Sequence, residues 1–69
     1  MATITPVVKD HWFTVLDMTN NPVKGLFDSH SFNRAAAKKA AIDMWWGLST
    51  LEENKGKDIR VYELKEVEV

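Results

Sequence analysis

The chain has 69 residues, enough for one small domain that buries only about 60% of the surface its unfolded form exposes. Nine Lys and Arg residues against ten Asp and Glu residues give a net charge of −1, which argues against a strongly basic nucleic-acid binder and a strongly acidic DNA mimic. The absence of cysteine excludes disulfides and thiolate metal sites. We therefore expect residues 1–69 to form a single domain.

Residues 1–9 are expected to be loosely ordered, because Pro6 interrupts any regular structure there. The segment lacks the basic start and long apolar stretch of a signal peptide, and the sequence has no apolar run long enough to span a membrane. These features predict a cytoplasmic protein without membrane contact.

The next segment predicts a β-hairpin. Residues 11–18, "HWFTVLDM", are rich in aromatic and β-branched residues, which is typical of a strand. "TNNP" at 19–22 has turn residues, and "VKGLFD" at 23–28 predicts the returning strand. Gly25 within that strand indicates a bulge or the close approach of another backbone.

One long helix is predicted after the hairpin, from Phe32 to about Leu51, with five alanines in its sequence. Ser31 or Ser29 is the expected N-cap. "EENKGKD" at 52–58 ends the helix, and the alternating "IRVYELKEVEV" at 59–69 predicts a third strand.

The order β-β-α-β predicts the α+β class, a two-layer domain in which a three-stranded antiparallel sheet carries one long helix. On the third strand, Ile59 and Val61 are expected to face one way, and Tyr62 and Leu64 the other. Charged, mostly acidic residues lie near that strand and allow two interpretations: a charged edge that prevents pairing with other chains, or an acidic strip that mimics or repels nucleic acid near a partner's channel. The residues concerned are Glu63, Lys65, Glu66 and Glu68.

The helical wheel divides the predicted helix into two sides. The side expected to face the sheet holds Phe32, Ala36, Ala37, Ala40, Ala41, Met44, Leu48 and Leu51. The opposite side holds Arg34, Ala35, Lys38, Lys39, Ile42, Trp46 and Ser49, with Trp45 at its margin. Adjacent helical residues point in different directions, so Trp45 can lean over the edge of the core while Trp46 is expected to be exposed.

An exposed tryptophan beside an isoleucine and two lysines is typical of a protein-binding surface. The residues predicted to bind a partner are Arg34, Lys38, Lys39, Ile42, Trp45 and Trp46. Three alternatives stay open: Trp46 lies along its own helix, residues 52–58 cover it, or a second copy does so in a homodimer.

No catalytic or cofactor motif is present, so we expect neither enzymatic activity nor a bound cofactor or metal. The sequence around His11 and His30 shows no recognisable carboxylate or cysteine partner, and the three glycines are too far apart to cradle a phosphate. A small nucleic-acid-binding module remains the alternative. It would use Lys24, Arg34, Lys38 and Lys39 for phosphates and the aromatic residues Trp12, Phe13, Phe27 and Tyr62 for bases.

The strand opening "HWFTV", the alanine run Ala35–Ala41 with Trp45 or Trp46 near the helix end, and the strand Ile59–Leu64 resemble the short RNA-polymerase inhibitors of lytic podophages. Glu63 and Lys65 stand where that family carries the arginines that grip the polymerase, so those contacts do not transfer. The chain is also similar to small cysteine-poor anti-CRISPR proteins.

Both resemblances imply the same class of function. They imply a small non-enzymatic phage inhibitor that acts in the cytoplasm of a bacterial host. Its partner would be a host protein or ribonucleoprotein complex, such as a defence complex or RNA polymerase, whose action on nucleic acid it blocks.

Overall fold

The computed structural model describes residues 10–65 and residue 67. In order along the chain, the elements are β1 (His11–Asp17), β2 (Lys24–Ser31), α1 (Arg34–Ser49), a short 3-10 helix (Glu52–Asn54) and β3 (Ile59–Leu64). The strands form one antiparallel sheet in the order β2-β1-β3, with α1 packed on it, so the predicted α+β fold is confirmed. The region expected to be loosely ordered, 1–9, and the acidic residues Glu66 and Glu68 lie outside the described residues.

None of the helices in the described part of the chain has the length and apolar character needed to cross a membrane.

The hairpin of β1 and β2 contains the bulge that Gly25 predicted. Val15 lies opposite Phe27 and Leu16 lies opposite Gly25, so Leu26 is the extra residue. Leu26 packs against the hydrophobic core. The second strand extends to Ser31, three residues beyond its predicted end, because its pairing with β1 continues.

The helix begins later than predicted and has a different cap. The side chain of Asn33 accepts a hydrogen bond from the backbone N–H of Ala36, which makes Asn33 the N-cap. The prediction of Ser29 or Ser31 was wrong, since both residues belong to β2. The hydroxyl of Ser29 instead donates to the carbonyl oxygen of Ala37 at 2.7 Å and ties the strand to the helix.

The core lies between α1 and one face of the sheet. Val15 at its centre is 0% exposed, and the alanines of α1 let the helix backbone approach the strands closely. Ile59 and Val61 face this core while Tyr62 and Leu64 face away from it, as predicted. The buried hydrophobic residues are Phe13, Val15, Ala37, Ala41 and Ile59.

The helix is rotated by roughly 60° from its predicted orientation. Its inner stripe consists of Ala37, Ala41, Trp45 and Leu48. Of the residues predicted to face the sheet, Phe32, Ala36, Ala40, Met44 and Leu51 are exposed, so that part of the prediction was wrong. Alanines lie on both the buried and the exposed sides of this helix, so they do not determine which side faces the sheet.

Candidate functional site

The two adjacent tryptophans have different environments. Trp45 packs against the core, and its indole N–H donates a 2.7 Å hydrogen bond to the carbonyl oxygen of Ile59 on β3. Trp46, the next residue, is 65% exposed. The predicted exposure of Trp46 is therefore confirmed, and neither its own helix nor residues 52–58 cover it fully.

The exposed side of α1 presents a stripe of three residues at intervals of four, Lys38, Ile42 and Trp46. All three side chains are exposed, Ile42 to 40%. Lys39 is exposed as well, and its Nζ lies 2.9 Å from Oδ2 of Asp43, so its charge is paired. The stripe therefore combines two large apolar side chains with one cationic end.

Arg34 stands one turn before Lys38 at the same spacing of four, and its guanidinium contacts β3. Its Nε and Nη2 donate to the two carboxylate oxygens of Glu63 at 2.9 and 3.1 Å, and its guanidinium stands 5.5 Å from the ring centre of Phe13. The hydrogen bond from Arg34 lowers the pKa of Glu63, and the same bond raises the pKa of Arg34. Arg34 thus connects the start of α1 to β3, and the carboxylate of Glu63 is already bound within the chain.

An apolar cleft of about 400 Å³ lies between α1 and β3. Ile42 and Trp45 form its helix side, and Ile59, Arg60 and Val61 form its strand side. Arg60 is held by a 2.9 Å ion pair with Asp58, which raises the pKa of the guanidinium. This cleft leaves no signal in the sequence, because its lining residues come from α1 and β3, which are distant along the chain.

The sheet face opposite α1 carries exposed aromatic and aliphatic side chains, including Trp12, Tyr62 and Leu64. The rings of Trp12 and His30 stack, with their centroids 4.2 Å apart, and Nδ1 of His30 lies 2.7 Å from Oδ2 of Asp10. The four aromatics considered for base stacking are divided between the two faces, because Phe13 and Phe27 pack against the core instead.

In the described part of the chain, several titratable side chains form ion pairs with a neighbour. His11 lies 4.0 Å from the Glu63 carboxylate, which Arg34 already binds. Among residues 10–65 and 67, no three His, Cys, Asp or Glu side chains are grouped so that they could hold a metal ion. What the surface offers is apolar area bordered by charges, which suits recognition of another molecule.

Comparisons with protein-family models, with curated protein sequences and with solved structures found no match.

Proposed function

We propose that the chain is a small non-enzymatic protein-binding module that docks through the exposed side of α1. Trp46 is the central anchor, Ile42 lies beside it, and Lys38 and Lys39 form the rim. The observation that carries the proposal is the 65% exposure of Trp46 on a helix whose other side packs in the core.

The size of Trp46 is sufficient for a strong anchor. A tryptophan buries about 150–250 Å², so covering the exposed 65% removes roughly 100–160 Å² from water. At about 25 cal/mol per Å², this gives an upper bound of roughly 2.5–4 kcal/mol. That range matches the loss measured when a hot-spot residue of an interface is truncated.

The roles of Trp45 and Arg34 differ from that of the anchor. Trp45 lines the cleft beside Ile42, so it touches a partner only where the partner enters the cleft. Arg34 is engaged by Glu63 and orients α1 on the sheet.

The finer proposal follows the phage inhibitors that the sequence resembles. The module would bind a host defence complex or RNA polymerase in the bacterial cytoplasm and block its access to nucleic acid. Cations that are already paired with carboxylates of their own chain are less available for phosphates, which supports a protein partner over nucleic acid. Of the four cations considered for phosphate binding, Arg34 and Lys39 form ion pairs with carboxylates of their own chain.

The test is a pull-down from bacterial lysate, with and without nuclease, using the full chain, Trp46→Ala and Phe32→Ala. Phe32 is the matched control, since it is an exposed aromatic residue, 74% accessible, that lies just before α1. We expect one stoichiometric protein that resists nuclease, is retained by Phe32→Ala and binds Trp46→Ala at least about 30-fold more weakly. Binding that stays within threefold in Trp46→Ala would contradict the proposal, and nuclease-sensitive capture alone would favour a nucleic-acid-binding module.

A further inference from the structure

The hydrogen-bond pattern of β3 shows which backbone groups face its free edge. The backbone N–H of Met18 donates to the carbonyl oxygen of Asp58 at 2.7 Å, directly beyond the β1–β3 ladder. Hydrogen-bonded pairs alternate along an antiparallel ladder, so Arg60, Tyr62 and Leu64 direct their N–H and C=O groups to β1. The residues between them direct theirs outward, away from the sheet.

The outward groups belong to Ile59, Val61 and Glu63. The contact of Trp45 with the carbonyl oxygen of Ile59 agrees with this assignment, because a side chain of α1 reaches that oxygen outside the ladder. Trp45 therefore occupies one position of the edge. At Val61 and Glu63, the outward backbone groups form no hydrogen bond with any residue of the segment 10–65.

The apolar cleft follows the same edge. Ile42 lines its helix side and Val61 its strand side, and the indole of Trp45 reaches the carbonyl oxygen of Ile59. A residue of an added strand that pairs with Val61 points its side chain to the same face of the sheet as Val61. That side chain enters the cleft.

We propose that the edge of β3 binds an extended peptide segment of the protein partner by strand addition, with one aliphatic side chain of that segment in the cleft. The proposal rests on the protein-binding function above and names the kind of segment recognised. Main-chain hydrogen bonds to Val61 and Glu63 supply affinity, and the cleft supplies selectivity, as in other cases of strand addition.

Charge at one end of the cleft favours an acidic segment. The helix runs antiparallel to β3, with Arg34 at Glu63 and Trp45 at Ile59. Lys38 precedes Ile42 by one turn, so it stands at the Glu63 end of the cleft. An acidic residue of the peptide beyond the aliphatic one would lie near this ammonium group.

A second copy of the chain suits this edge less well than a peptide does. If two β3 strands paired antiparallel with both helices on one face, the side chains facing each cleft would be those of the other copy's Ile59, Val61 and Glu63. All three are already engaged: Ile59 and Val61 pack in their own core, and Glu63 binds Arg34. Each cleft would stay unfilled, whereas a free peptide brings an unengaged side chain.

The test uses a display library of random linear decapeptides, selected in parallel on the full chain and on Val61→Pro. Proline is tolerated on an edge strand where the N–H faces outward, so this variant removes one outward donor while keeping the ladder to β1. Ile42→Lys, which places a charge in the cleft, is the second variant, and Phe32→Ala is the matched control. Circular dichroism verifies that each variant is folded.

We expect peptides with an aliphatic and an acidic residue that bind Val61→Pro and Ile42→Lys at least tenfold more weakly and Phe32→Ala equally well. On binding, the amides of Val61 and Glu63 should exchange with solvent at least tenfold more slowly. Three results would overturn the proposal. The first is that no peptide is enriched on the full chain relative to Val61→Pro. The second is that bound peptides leave the exchange rates of the Val61 and Glu63 amides unchanged, and the third is that the chain forms a dimer that Val61→Pro abolishes.

Failure of the strand-addition proposal can be distinguished from failure of the proposed function. If the lysate partner is lost with Trp46→Ala but retained by Val61→Pro, only strand addition fails. If selected peptides bind as expected but the lysate partner ignores Trp46→Ala, only the anchor role of Trp46 fails.

Discussion

The neighbouring tryptophans allow one substitution to be compared in two environments. We consider Trp45→Phe and Trp46→Phe, which remove the same atoms from adjacent helix residues. The first deletes the indole N–H that donates to the carbonyl oxygen of Ile59 at 2.7 Å, and it reduces the area over which α1 packs against β3. The second changes a ring that is mostly in solvent.

The expected magnitudes differ clearly. The lost hydrogen bond of Trp45 contributes about 1 kcal/mol. Phenylalanine at position 45 would bury roughly 40 Å² less apolar area than tryptophan, which at about 25 cal/mol per Å² lowers the free energy of unfolding by about 1 kcal/mol more. The sum of about 2 kcal/mol is a large part of the roughly 3–10 kcal/mol expected for a chain of this length. Trp46→Phe should stay within about 0.5 kcal/mol, as exposed substitutions do.

The assay is urea and thermal unfolding followed by far-ultraviolet circular dichroism, which does not depend on the removed fluorophore. Trp45→Phe should lower Tm by about 8–16 °C, since 1 kcal/mol corresponds to about 4–8 °C in a domain of this size. Trp46→Phe should leave Tm nearly unchanged. Equal losses in the two variants, or a loss below about 0.5 kcal/mol in Trp45→Phe, would refute the assignment of Trp45 as the inner residue.

Three further predictions follow from contacts described above. Ala41→Leu should cost about 1–3 kcal/mol by overpacking, whereas Ala40→Leu should stay within about 0.5 kcal/mol; equal effects in urea unfolding would contradict the observed rotation of α1. The hydrogen bond from Arg34 lowers the pKa of Glu63 in the folded chain, so the stabilisation is present above the unfolded pKa and is lost as pH falls through the folded value. Thermal melts between about pH 6 and pH 2 should therefore show a steeper fall of Tm for the native chain than for Glu63→Gln, and parallel curves would refute this linkage. In the free chain, the amides of Tyr62 and Leu64 should exchange at least about tenfold more slowly than those of Val61 and Glu63, as measured by NMR; uniform rates would contradict the assigned ladder.

Local signals in the sequence were sufficient for the order of elements. Aromatic and β-branched runs marked the strands, and Gly25 marked the bulge. The rotation of the helix was not predictable in the same way, because alanine is compatible with either side. The contacts that orient α1 join Arg34 to Glu63 and Trp45 to Ile59, and such distant pairs leave no local pattern.

The exposed tryptophan of the candidate site was predictable, and the cleft was not. The exposure of Trp46 follows from helical geometry once one neighbour is placed inward. The cleft depends on the order of strands in the sheet, since β3 pairs with β1 and not with β2. Neither hydrophobic alternation nor turn residues determine which edge of a hairpin receives a third strand.

The central position of β1 also determines how the chain must fold. Its partners lie at very different distances along the sequence: Val15 pairs with Phe27 nearby and with Val61 far along the chain. Closing the longer loop costs roughly 1 kcal/mol more in chain entropy, so the hairpin and helix are expected to form before β3 docks. During synthesis, β1 is made first, and one of its edges has no partner until the ribosome has released β3. Folding thus ends with the addition of a strand to an open sheet, and binding of a peptide at the next edge would repeat that step between two molecules.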